Sequence, residues 1–163
     1  MKLRKGFVSN SSSASFVIID ASRGYDSLDG SILTAGSSLG ETEFGWGPEK
    51  IEGIGTRINW AYLQAHYAHP EEDPLLEKAI RVVHGNQNPY LEMLEEVIKE
   101  NSSIEEIDWG FTKDKYGGFE DGYIDHQSSA AEDRNMEIFE SKNTLKDFIF
   151  GKASYIQLDN DNH

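Results

Sequence analysis

The sequence predicts a mixed α/β or α+β fold: a single mixed sheet of about four to six strands, a three-helix segment in the middle, and one or two short helices near the C terminus. Three observations carry that expectation. The apolar run Phe16-Val17-Ile18-Ile19 is rich in β-branched side chains and closed by Asp20, Ser22 and Gly24, as a strand buried on both faces would be. Two amphipathic runs share one start signal, Asp73-Pro74 and Asn88-Pro89. Beyond Ser103 the apolar period shifts to two, with Ile107, Trp109 and Phe111 alternating with Asp108 and Gly110.

In chain order, residues 1–14 read as a serine-rich leader. Phe16 to Ile19 follow as a central strand with which later strands pair. Ser22 to Gly55 is punctuated by Gly24, Gly30, Gly36, Gly40, Gly45, Gly47 and Gly53, so only short strands are expected there, at Ser31 to Thr34 and Thr42 to Trp46. Gly45-Trp46-Gly47-Pro48 should turn the chain. A first helix, about Arg57 to Ala68, takes Thr56 as its N-cap and is ended by Pro70. The second runs from Asp73 to Val83 and stops at Gly85. The third begins at Asn88, turns Tyr90, Leu91, Leu94, Val97 and Ile98 inward, pairs Glu95 with Lys99 outside, and ends near Asn101. Next come a hairpin joining Ile107–Phe111 to Tyr123–Ile124 around Gly117-Gly118, and a short helix near Arg134 to Glu140. A helix from Thr144 to Phe150 is capped by Asn143 and stopped by Gly151, and Ala153 to Leu158 is the last strand. Residues 159–163 read as a frayed tail, and 1–163 as a single domain.

Arg4, Lys5, Gly6, Phe7, Val8, Ser9, Asn10, Ser11, Ser12, Ser13, Ala14, Ser15 and Phe16 resemble an N-terminal signature, R-x-G-F-V-S-N-S-S-S-S-S-F, of uncharacterised proteins of large tailed bacteriophages and some bacteria. Ala14 departs from it, where serine is usual. The resemblance implies a phage or bacterial protein, cytoplasmic in its host, and carries no catalytic residue. Physically, the small hydroxylated side chains suit a loop that bonds its own backbone.

Composition sharpens the function classes. The 163 residues hold no cysteine, which removes disulfide scaffolds, zinc thiolates and thiol nucleophiles. Lys2, Arg4 and Lys5 make a basic start, but only Phe7 and Val8 follow before the serines, so neither a secretory signal nor a membrane span is expected. Against 29 acidic side chains stand 15 basic ones, a formal net charge of −14, which argues against direct nucleic-acid binding. An acidic surface serves solubility, and it also steers association with basic partners, including those that bind nucleic acid.

Candidates for chemistry are few. Asp121, Asp125 and His126 lie at the end of a predicted strand, where a carboxylate beside an imidazole would serve as a base or a metal ligand; in a strand, however, adjacent Asp125 and His126 point to opposite faces. His66 and His69 are three apart near a helix end, with His84 or His126 as a third metal ligand. Gly53-Ile54-Gly55-Thr56 precedes a helix as a phosphate cradle would, yet it has neither the third glycine of a dinucleotide loop nor the lysine of a P-loop. Asp159-Asn160-Asp161-Asn162-His163 opens like a calcium loop but lacks its glycine and closing glutamate. No cofactor follows from these residues, and a divalent metal is the one the histidines leave room for. The sequence reading is therefore an acidic phage-type accessory protein that binds a host or phage protein. A metal-assisted hydrolase using Asp121, Asp125, His126 and His66 is the enzyme alternative, and a structural component of a particle the third.

Overall fold

A computed structural model describes residues 2–5, 13–45, 48–68, 88–116, 118–125, 128, 130 and 135–160. The fold is mixed α+β. Its strands are β1 (Lys2–Lys5), β2 (Ser13–Asp20), β3 (Ile32–Ala35), β4 (Glu43–Phe44), β5 (Glu49–Ile51), β6 (Glu106–Trp109), β7 (Tyr123–Ile124) and β8 (Tyr155–Asn160). Its helices are α1 (Ile54–Tyr67), α2 (Pro89–Glu100) and α3 (Lys142–Phe150), with a 3₁₀ turn at Met136–Phe139.

The expected single sheet is not what forms. The strands divide into a four-stranded sheet in the order β1-β2-β8-β5 and two two-stranded pairs, β3-β6 and β4-β7. The larger sheet is antiparallel throughout and the two pairs are parallel. Alternation in a sequence marks a strand and its faces; the strand it bonds to is fixed by contacts remote in sequence. That is why the hairpin expected between Ile107–Phe111 and Tyr123–Ile124 is replaced by pairing of β6 with β3 and of β7 with β4. Among the described residues the intervening turn carries an isolated antiparallel bridge, Lys113 with Phe119.

Strand β2 is central, as its apolar run requires. Lys2–Lys5 pairs with it from Asp20 to Val17, and β8 flanks its other side from Ser13↔Asn160 to Ile18↔Tyr155. Lys2–Lys5, Ser13 and Ala14, within the leader of the sequence reading, are thus strand, as are Asp159 and Asn160 of the expected tail. Val17, Ile18 and Ile19 are all buried, so both faces of β2 are covered. Val17, Ile19, Ile51, Ile156 and Leu158 present one apolar face to the helices, and α3 packs on β2.

Helix α1 is the axis of the remainder. Every residue from Gly55 to Ala65 is buried, so the helix is enclosed on all sides rather than amphipathic. It starts earlier than its sequence suggests, at Ile54 after Gly53, and Thr56 is inside it. Thr56 does not cap the helix; its Oγ1 accepts from the Glu41 amide at 3.1 Å. The loop of residues 36–41 lies on this helix end, leaving no opening for the phosphate that Gly53-Ile54-Gly55-Thr56 suggested: a Cβ on Gly55 would come 2.1 Å from the Leu39 carbonyl oxygen.

Helix α2 follows its sequence signals closely. The Asn88 carboxamide oxygen accepts from the Tyr90 and Leu91 amides at 3.0 and 3.3 Å, Pro89 takes the first helical position, and Asn101 ends the helix by donating to the Val97 carbonyl. Glu95 differs from expectation: its carboxylate accepts from Trp109 Nε1 at 2.9 Å. Helix α3 is capped by Ser141, which accepts from the Thr144 amide at 3.0 Å, two positions before the expected Asn143. Residues 136–139 are a 3₁₀ turn after Asn135, which takes a left-handed backbone (φ 58°). The expected second helix, Asp73 to Val83, lies outside the described residues, as do Trp46 and Gly47. Among the described residues no helix is long and apolar enough to cross a membrane.

Candidate functional site

Three buried polar side chains of α1, Arg57, Asn59 and Gln64, bond mainly to backbone. Asn59 donates to the Gly36 and Glu41 carbonyls at 2.9 and 3.0 Å and accepts from the Gly36 amide at 3.0 Å. Gln64 donates to the Ser128 carbonyl at 2.9 Å and accepts from the Ala130 amide at 2.6 Å. Arg57 donates to the carbonyls of Ile149 and Ser154 and to Asp26. An amide group that satisfies donor and acceptor of one loop fixes that loop's position, and its own burial costs little once every bond is made. Sequence reading missed all three residues. The signal for them was the spread of Ile58, Trp60, Tyr62, Leu63 and Ala65 around the whole helix, which leaves its polar residues nowhere but inside.

An aromatic cluster surrounds the C-terminal half of α1. Tyr62 stacks on Trp109 and on Phe111, at 4.4 and 4.8 Å between ring centroids, and meets His66 edge-on at 4.6 Å. Phe119 packs edge-on to His66 at 5.2 Å. Burial, then the charges of Asp121 and Glu95, push the Tyr62 hydroxyl up to about 12, so it stays protonated and is no base at neutral pH. Burial first, then the Lys113 charge, pushes His66 down to about 4. Its Nε2 is buried without a hydrogen-bond partner among the described residues. A neutral ring held by aromatic edges is a core side chain by its surroundings.

This arrangement gives a pH signature. The unfolded ring protonates near its ordinary value of 6.5 and the folded one only near 4, so below pH 6.5 the unfolded state binds the extra proton. The stability held by the neutral ring is intact above that value and lost as pH falls towards 4. The full shift corresponds to about 3 kcal/mol, which water's access to a half-buried ring reduces to about 1–2 kcal/mol. His66→Phe should remove that component: between pH 7 and pH 4.5 the wild-type unfolding free energy in urea should fall about 1–2 kcal/mol further than the variant's.

The residues singled out for chemistry are placed as follows. Asp121 Oδ1 accepts from the Thr112 amide at 2.9 Å, closing the base of the 112–121 turn. Asp125 is 9% exposed; its amide donates to the Phe44 carbonyl at 3.0 Å, its carbonyl accepts from Ser128, and its Cβ lies against Gly45, where an added Cβ would come within 2.4 Å. His66 packs on Tyr62, and the Asp121 charge acts on the same Tyr62. His69, His84 and His126 lie outside the described residues, as does the end of the calcium-like tail, residues 161–163. Among the described residues no group of three or more His, Cys, Asp or Glu side chains is arranged to hold a metal ion.

The surface has a different character. Glu43, Glu49, Glu96, Glu105, Glu106 and Asp108 are exposed, and burial together with the nearby Glu49 charge raises the Glu41 carboxyl above the usual range. Large exposed apolar or aromatic side chains among the described residues are Tyr25, Ile32, Tyr116 and Tyr123. Tyr25 is engaged at its hydroxyl by Asp147 at 2.6 Å and on its ring by Lys146 at 4.5 Å. No family model, curated protein or solved structure matches this chain.

Proposed function

We propose that this chain is an acidic accessory protein of phage type that works by binding a basic host or phage protein. One observation carries the reading: a net charge of −14 in the sequence, with Glu43, Glu49, Glu96, Glu105, Glu106 and Asp108 exposed among the described residues, over an interior whose buried polar groups Arg57, Asn59 and Gln64 are spent on holding loops in place. A like-signed surface accelerates encounter with an oppositely charged partner and repels phosphate backbones. The test is retention from bacterial lysate on the immobilised protein. A defined basic protein should be held in stoichiometric amount at about 50 mM salt and released by about 500 mM, as screening shortens the range of the surface charges. Retention of nothing above background at low salt would sink the reading. The hydrolase alternative, through Asp121, Asp125, His126 and His66, separates on a thermal melt with added zinc, manganese or magnesium: a built metal site raises the melting temperature with metal concentration, and a binding protein without one shows no such dependence.

A further inference from the structure

We infer that the outer face of the β3–β6 pair is the docking surface for an extended basic segment, with lysine or arginine at every second position laid along β6. The inference rests on the binding reading above and names the partner's chemistry.

The pair has one covered face and one bare one. Leu33 and Ala35 are buried, and Ile107 and Trp109, their register partners, pack against the core, with Trp109 stacked on Tyr62 and bonded to Glu95. The opposite face carries Ile32 beside Glu106 and Thr34 beside Asp108. All four are exposed, and Ile32, at 60%, is the one aliphatic side chain among the large exposed apolar residues that the structure describes. Among the described residues neither strand has a second neighbour in its sheet. The face is also rigid: the Ser31 carbonyl accepts from both the Glu105 and Glu106 amides, and Ser103 Oγ bonds both the amide and the carbonyl of Gly30. A surface fixed beforehand loses little entropy on binding.

Charge selects the occupant. Glu106 lies beside Ile32 and Asp108 beside Thr34, so a second copy of this chain would bring like charges together, and a nucleic acid would bring phosphates against carboxylates. Glu106 and Asp108 lie two apart on one face of a strand, which is the repeat of an extended chain. Lysine or arginine at that spacing sets an ammonium or guanidinium at each carboxylate and lays its aliphatic stem over Ile32.

The probe is an acetylated, amidated peptide of alternating lysine and threonine, compared with one of the same composition whose lysines stand three apart. Titration of the full chain, followed by amide NMR, should move the resonances of β3 and β6. The alternating peptide should bind about fivefold more tightly than the peptide spaced by three, since lysines three apart fall on opposite faces of an extended chain and only the alternating one meets both carboxylates at once. Ile32→Thr should weaken it about fivefold through lost apolar contact, and Glu106→Gln with Asp108→Asn about tenfold, with melting temperatures unchanged. Equal binding of the two peptides, shifts centred elsewhere, or a concentration-dependent dimer that Ile32→Thr abolishes would each overturn the assignment. If a variant combining Ile32→Thr, Glu106→Gln and Asp108→Asn still retains the partner held by wild type, this face is wrong while the general reading stands. If wild type retains nothing from lysate, the general reading fails, and the peptide titration decides this face by itself.

Discussion

Replacing Arg57 with methionine should lower the unfolding free energy by about 3 kcal/mol. The guanidinium is 1% exposed and lies where three segments meet. Nε donates to the Ile149 carbonyl at 3.1 Å, one terminal nitrogen to the Ser154 carbonyl, and the other to Asp26 at 3.1 Å. Ser154 continues the junction, accepting from the Asp20 amide at 2.9 Å and donating to the Asp147 carbonyl at 2.7 Å. One side chain of α1 thereby fastens the end of α3, the turn into β8 and the loop after β2. The carbonyls, rather than the ion pair, dominate the loss. The Asp26 carboxylate is 37% exposed and returns to water when its partner is removed, so no charge is stranded inside. Two carbonyls, in contrast, lose the guanidinium as a donor, at about 1–3 kcal/mol each, offset in part by relief of the desolvation that holds the Arg57 pKa below its ordinary value. Three consequences separate the terms in urea unfolding. Arg57→Lys should lose about 2 kcal/mol, because an ammonium cannot span the fork. Asp26→Asn should cost less than about 1 kcal/mol. The Arg57→Met loss should be nearly unchanged by added salt, since salt screens exposed pairs and leaves buried carbonyl bonds alone. A loss that Asp26→Asn reproduces would show the ion pair to be the main term.

What the sequence reveals here is whatever is settled within one turn of chain. Asn88-Pro89 announces α2 because the cap, the amides it bonds and the proline all lie within four positions, and Gly151 marks the end of α3 for the same reason. The strand at Phe16–Ile19 is legible because an apolar run of that composition has few alternatives to a covered strand. Legibility fails where a local signal competes with a remote one. Thr56 is a good cap by type, but Glu41 takes its hydroxyl and the loop from Gly36 covers the helix end, so the helix begins three residues earlier. Ser141 and Asn143 are both plausible caps two residues apart, and only the Ser141 bond to the Thr144 amide chooses between them. Pairing of β3 with β6 spans more than seventy residues and leaves no trace in either strand beyond its alternation. As for the candidate residues, Asp121 reads identically as a ligand or as the acceptor for Thr112 until the turn is closed. The face built of Ile32, Thr34, Glu106 and Asp108 is invisible for the same reason: each strand shows half of it.

The joint between the 36–41 loop and α1 should be equally intolerant, and it reverses an ordinary rule. Alanine in place of a helical glycine usually stabilises by about 1 kcal/mol. Gly55→Ala should instead destabilise by about 3 kcal/mol, because the new methyl would stand 2.1 Å from the Leu39 carbonyl oxygen and 2.9 Å from its carbon, and backbone cannot swing aside as a side chain can. The loop is held to that position from the other side. Gly40 would meet Thr56 within 2.5 Å if it carried a Cβ, and Asn59 clasps both Gly36 and Glu41. Gly53→Ala is the informative control. Nothing lies within 4 Å of its Cβ position, yet its φ of 105° is one that side-chain-bearing residues avoid, so it should cost about 1–2 kcal/mol through backbone strain alone. Amide exchange distinguishes the two. Gly55→Ala should accelerate exchange at Gly36, Gly40 and Glu41, whose amides bond within the joint, while Gly53→Ala should leave them protected. Because Gly36 directly follows Ala35, loosening this joint also frees the end of β3, so Gly55→Ala should weaken binding at the β3–β6 face about twofold to fivefold, whereas Gly53→Ala leaves it intact. Equal protection in the two variants would mean that the loop does not depend on the helix end for its place.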